Sequence, residues 1–365
     1  MKRLFSISLL LVSLSVMTAF AQADLQSVAR VTLNRTEPIT VRELRLEMER
    51  RAWPNLANRF GRHPTTAELN REVQNSTVLQ RRQVLEAMID ERLVMQAAER
   101  DRVTVTDAEL NQHMAALRNE LAQNIGRQPT EEEFALAVKN DTGQEIPAFR
   151  NSVRRQLTLQ KYLLSQKQHL FNNMRQPTEA DIINIYNLTT TQFIRPETIR
   201  FSMIMVPYGP DAASRVRARE LADRLNREIG SDPSRFDEVV LRSRAPNSGF
   251  QAGDAGYIPR NLAAQQMMGE DFVNVAFSLR QGEVSRLIEG NAGFQILKIT
   301  ESLPQRALGL DDIIVPGTTV TVRQNIAETL FQQTLQETTA RAASEMMAEL
   351  KAGNPFQIME SNLSW

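Results

Sequence analysis

Ile199-Arg-Phe-Ser-Met-Ile-Met-Val206 and Gly293-Phe-Gln-Ile-Leu-Lys-Ile299 are the two apolar runs whose reading decides the fold. Both read as strands. Two helical segments follow the first run, and then the glycine turn Gly253-Asp-Ala-Gly-Tyr257. Met268-Gly-Glu-Asp-Phe272 and Ala276-Phe277 come next, and Gln281-Gly-Glu-Val-Ser285 leads into a closing strand pair. This order forms a self-contained stretch, residues 195–303, within a chain long enough for two or three domains.

Upstream the pattern is helical. Val28-Ala-Arg-Val-Thr-Leu33 alternates as a short strand, and Pro38-Ile39-Thr40 starts a helix. Thr40 with Glu43 forms a capping box, in which hydroxyl and carboxylate satisfy backbone N–H groups that the first turn leaves without partners. The same signal recurs at Thr65/Glu68, Thr106/Glu109 and Thr130/Glu133, and as Thr178/Asp181. Apolar residues between the boxes keep a helical spacing, as at Val84, Leu85, Met88 and Ile89, so residues 40–190 read as roughly five or more helices. Downstream of the central stretch, Thr321 with Gln324 caps a long helix to about Lys351, which Gly353-Asn-Pro355 stops. Phe356-Gln-Ile-Met359 offers a last strand. Asn187 to Thr198 and Pro304 to Gly317 read as connections on either side of the middle domain.

The N-terminus reads as an export signal. Lys2-Arg3 precedes an apolar run from Leu4 to Phe20, and small residues place cleavage after Ala21 or Ala23. Residues 1–23 are therefore expected to be removed, without stable membrane insertion afterwards, which implies a periplasmic location. The chain has no cysteine, which excludes disulfides, thiolate metal sites and a cysteine nucleophile. Forty-three basic residues balance forty-three acidic ones, which argues against a bulk electrostatic grip on nucleic acid.

Taken in order, the motifs of residues 199–301 resemble a parvulin-type (PpiC-like) peptidyl-prolyl isomerase domain. The segment Val84–Met95, followed by Val103-Thr-Val-Thr-Asp-Ala-Glu109, resembles the N-terminal domain of SurA-like periplasmic chaperones. The resemblance implies an α+β multidomain protein. A mainly helical chaperone domain, residues 24–190, is completed by a C-terminal helix in residues 318–365. A separate parvulin-like domain, residues 195–303, has a small antiparallel sheet flanked by helices. The amphipathic C-terminal helix must bury its stripe, and the family returns it to the N-terminal helices.

The parvulin-type family places two histidines and a cysteine or aspartate beside an apolar pocket. Carried over position by position, the first histidine falls on Met203, the second on Gln295 and the third group on Pro246. The only histidines, His63, His113 and His169, all lie upstream. The family's apolar half is retained: Met268, Phe272 and Phe277 match it, with Met203 and Gln295 completing a candidate peptide-binding groove. Core packing is the competing reading of the same residues. No cofactor is called for, and the spacing of the histidines does not suit a metal. The fourteen methionines suit promiscuous recognition as well as core packing.

The leading reading is a periplasmic folding factor whose clients are unfolded or outer-membrane polypeptides and whose isomerase site is degenerate. The alternatives are an active isomerase working by desolvation and shape alone, and an envelope interaction protein that handles no unfolded chains.

Overall fold

The computed structural model describes residues 24–230 and 232–365, so the expected signal segment lies outside it. The fold is α+β, mainly helical, with small antiparallel sheets. Contacts divide the chain into two units, one up to Met174 with Thr334–Trp365, the other Arg175–Gln333.

The first unit opens with β1 (Ser27–Thr32) and β2 (Thr36–Thr40), an antiparallel pair. Pro38 and Ile39, expected at a helix entry, are thus the end of a strand, and the helix starts only after Thr40. The helices α1 (Val41–Phe60), α2 (Thr66–Gln74), α3 (Val78–Arg100), α4 (Asp107–Ile125), α5 (Glu131–Thr142) and α6 (Ile146–Asn172) follow. Every capping box read from the sequence closes in both directions. Two more form: Thr77 with Gln80 at the start of α3, with glutamine at the third position, and Asp211 with Ser214 further along the chain. Val28, Val31, Ile39, Leu44, Leu85, Ile89 and Leu93 bury the sheet against α1 and α3. A second cluster joins α4, α5 and α6 through Leu110, Met114, Phe134, Val138 and Val153.

Gln96 ties the β1–β2 turn to α3. It is 1% exposed, and its Oε1 accepts the backbone N–H groups of Leu33, Asn34 and Arg35 at 3.1, 2.9 and 3.4 Å. Gln96→Leu keeps most of the volume and orphans these donors. It should cost about 1–3 kcal/mol in a urea-unfolding experiment.

Acid should loosen the same unit. Contacts with Arg62, Lys161 and Arg127, reinforced by the cap N–H groups, hold Glu68, Glu109 and Glu133 at about 2 rather than the ordinary 4.5. A carboxylate depressed in the folded state stabilises above its unfolded pKa, and that contribution is lost as pH falls through the folded value. The loss should therefore run from about pH 4.5 down to about 2, followed by carbon-13 NMR of the three carboxyls.

The second unit begins with α7 (Glu179–Thr189) and β3 (Ile194–Arg195), and continues with β4 (Thr198–Pro207), α8 (Ala212–Ile229), α9 (Pro233–Arg242) and β5 (Gln251–Pro259). Then come α10 (Leu262–Met268), α11 (Glu270–Ser278), β6 (Ile288–Glu289), β7 (Gly293–Leu303) and β8 (Arg306–Ala307). Its main sheet has the order β5-β4-β7-β6, with every pairing antiparallel. Alternation along the strands makes two cores. Ile204, Val206, Phe294 and Ile296 face α8 and α9, while Ile199, Phe201, Leu297 and Ile299 face α10 and α11.

The unit boundaries differ from the expected 190/195 and 303/318. Residues expected as connections carry structure: β3 pairs with β8, and Tyr186 stacks on Phe193 with ring centroids 6.0 Å apart. Ile182, Leu308, Val322 and Ile326 form a small core of their own. α7 and the start of the last helix, α12 (Val322–Lys351), therefore belong to the second unit. The reciprocal Thr321/Gln324 cap starts α12.

Only the later part of α12 belongs to the first unit, where Met346 packs with Val94, Ala97 and Tyr162. Lys167, buried at a bend in α6, pairs with Glu349 at 2.6 Å. β9 (Phe356–Ile358) then pairs with β1, and Leu363 reaches the sheet core.

Candidate functional site

β4 sits between β5 and β7 and presents Met203 to the face that α10 and α11 cover. Across the sheet Met203 is opposite Leu297 on β7 and Gly253 on β5. Met205 is opposite Gln295. Met203 and Gln295 are thus diagonal neighbours on one face, at the separation of about 7–8 Å typical of such pairs.

The surroundings of each residue follow from this placement. Met203, Met268 and Phe277 are half-buried and pack on the core formed by Phe201, Phe272, Val273 and Leu297. Phe272 is 1% exposed and meets Phe201 edge-on, with centroids 5.5 Å apart, so its ring belongs to the core. Gln295 is 6% exposed. Its Nε2 lies so close to Gly290 that a Cβ there would stand 2.9 Å away, and its Oε1 has no hydrogen-bond partner. On β5, Gly253 and Gly256 leave open space where side chains would stand. Gly293 has no such room, since a Cβ there would meet the Val206 carbonyl at 2.4 Å.

Gly253–Tyr257, expected as a turn, lies inside strand β5, and its glycines mark a bulge where the β4–β5 register shifts between Phe201 and Ser202. Arg200 on β4 grips Asp254 at this bulge through Nε, at 3.1 and 3.2 Å from its two oxygens, and through Nη2. The guanidinium holds this carboxyl below the ordinary carboxylate range, and the N–H of Gly256 adds to the effect. Asp254 is therefore a structural anion that fixes the β5 bulge against β4.

Pro246 lies exposed in the turn after α9 and is not among the residues packed around Met203. His63, His113 and His169 all fall in the first unit; His63 bonds Asn140 at 2.6 Å. The structure thus brings together Met203, Met268, Phe272 and Phe277 on the face that also carries Gln295, while the exposed Pro246 is not part of their apolar cluster. That face offers thioethers, aromatic edges and one buried amide. It holds no imidazole, thiol or carboxylate at the three positions where the resemblance implies them.

No group of three or more histidine, aspartate or glutamate side chains suited to a metal occurs among the described residues. No helix among them is long and apolar enough to cross a membrane. Sequence reading also missed an open groove of about 320 Å³ between α1, α2 and α3, lined by Met48, Val73 and Val84 among others.

The fold and this face define a parvulin-type domain carried on a helical body with a small N-terminal sheet. Residues 203–301 match the PPIC-type PPIase domain model, and residues 2–163 match the SurA-like N-terminal domain model. Among curated relatives, the chaperone SurA of Saccharophagus degradans is 29% identical over 223 residues, which cover 60% of this chain and 48% of that one. SurA of Albidiferax ferrireducens is 25% identical over 332 residues, 88% of this chain and 62% of that one. The first of these alignments spans about half of the relative's length. A solved structure of a SurA-like chaperone of Campylobacter jejuni aligns over 92% of this chain and 99% of its own, at 12% identity and a TM-score of 0.34.

Proposed function

We propose that this protein is a periplasmic folding factor that binds unfolded polypeptides, outer-membrane proteins among them, and that its parvulin-type domain binds peptide without isomerising it. The observation that carries the reading is that Met203 and Gln295 stand diagonally on one sheet face, at the positions where the resemblance implies the family's histidines. Rotation about a prolyl bond is slowed by amide resonance, with a barrier of about 18–20 kcal/mol for an ordinary peptide bond. A catalyst must favour the twisted amide over both planar forms. A thioether and a buried amide contribute contact area and polarisability and no proton-transfer group. Met203, Met268 and Phe277 keep partly exposed apolar surface for an uncharged side chain. Phe272 and Gln295 support that surface from below and take part only if the site opens. Methionine adapts to differently shaped side chains, which suits clients of many sequences.

The test is light scattering from a urea-unfolded outer-membrane β-barrel polypeptide diluted into buffer. Near-stoichiometric full-length protein should suppress its aggregation. Unchanged scattering would leave an envelope interaction protein as the better reading.

A further inference from the structure

We infer that Gln295 makes the parvulin-type domain select peptide units that carry an N–H, so that its face discriminates against proline. The inference rests on the reading of this domain as a peptide binder. Gln295 is 6% exposed, and its Oε1 is buried without a hydrogen-bond donor. Its amide makes no hydrogen bond among the described residues. A buried polar atom without a partner is rare, and leaving it so costs free energy. The neighbours show that the amide has a place made for it. It stands opposite the half-buried Met205 on β4 and opposite Ile288 on β6. A Cβ on Gly290 would stand 2.9 Å from its Nε2 and 3.4 Å from its Oε1. Gly290 lies outside the left-handed region, so its backbone does not call for glycine. What the missing side chain provides is room for this amide.

The surroundings decide which donor fits. The face is thioether and aromatic, and its nearby cation is already matched: Arg260, 5.5 Å from the Phe277 ring, bonds Glu197 at 2.9 Å. A charged donor would lose its hydration there without gaining a counter-charge. A main-chain N–H is a donor without charge, and every residue but proline carries one. Met203 and Met205 lie two apart on β4 and so share the face of Gln295. Each has three rotatable side-chain bonds, enough to turn aside and admit a peptide unit to the amide beneath. A prolyl unit fits the same apolar space but leaves Oε1 without its donor. A site built around a hydrogen bond rejects the analogue that lacks the donor. Glutamine at this position thus sets which peptide unit is preferred, as well as standing where the resemblance implies an imidazole.

The test uses the full chain with carbon-13 methionine methyls and end-blocked tripeptides in which one residue stands between two phenylalanines. The central residue is alanine, lactic acid or proline. Lactic acid puts an ester oxygen where the alanine N–H stood and changes the shape little. The alanine peptide should shift the Met203 and Met268 methyls with an affinity about tenfold above that of the other two, because only it supplies the buried acceptor with a donor. Gln295→Met keeps the length of the side chain without the amide, and should bind all the peptides within about twofold of one another. Equal affinities for the alanine and lactic acid peptides in the unsubstituted protein overturn the inference, whether or not the variant folds. A preference that survives Gln295→Met overturns it as well. Methyl shifts that are equal for all the peptides would leave the domain a peptide binder. Methyls that none of them moves would remove both this inference and the peptide-binding half of the proposed function.

Discussion

A chain ending at Ala352 should lose the fold of its first unit under conditions the intact protein withstands. β9 is the third strand of the N-terminal sheet, and the Met359 N–H donates to the Val28 carbonyl at 2.9 Å beside it. Leu363 is fully buried, and truncating such a side chain alone costs about 2–5 kcal/mol. Arg81, also buried, donates to the Leu363 carbonyl at 2.9 Å and stacks 3.9 Å from the Trp365 ring. Removing both takes away a charge-assisted hydrogen bond and a cation–π contact, while the Ser76 and Gln74 acceptors of Arg81 remain. Against a typical total of about 5–15 kcal/mol the sum is decisive. Urea unfolding followed by circular dichroism measures it, and an unchanged first transition would refute the expectation.

Restoring both histidines should not restore an enzyme. Met203→His with Gln295→His puts two imidazoles on one face, and Pro246 still brings no third polar group to them. The prolyl exchange rate of a test peptide should stay within about twofold of the uncatalysed rate, since each tenfold gain requires about 1.4 kcal/mol of selective transition-state binding. The variant should also be less stable by about 1–3 kcal/mol, because the Gln295 site is buried and crowded by Gly290. A tenfold or greater acceleration would show that the domain lacks only its imidazoles.

Much of this was legible in the residues because it is local. A capping box lies within four residues, and each one read from the sequence forms. Alternation in 199–206 and 293–299 assigns side chains to two faces, and the two cores follow it. What escaped depends on distant partners. The polar segment 187–198 looked like a tether, yet Phe193 and Ile194 find Tyr186 and Ala307 only in the folded unit. One apolar stripe on α12 suggested a single partner, whereas its ends belong to different units. The resemblance placed Phe272 in the site but not its depth, which Phe201 sets. The α1–α3 groove is a gap between three helices, and no periodicity along one segment encodes a gap.

The role proposed for the parvulin-type domain has two halves: it binds a polypeptide, and it leaves the prolyl bond alone. Exchange NMR on a proline-containing, aromatic-rich peptide, with the full-length protein labelled at its methionine methyls, tests both halves in one sample. Adding peptide should shift the Met203 and Met268 methyls and give no cis–trans exchange peaks beyond those of free peptide. Exchange peaks that grow with protein concentration, or peptide binding that leaves both methyls unmoved, would contradict it.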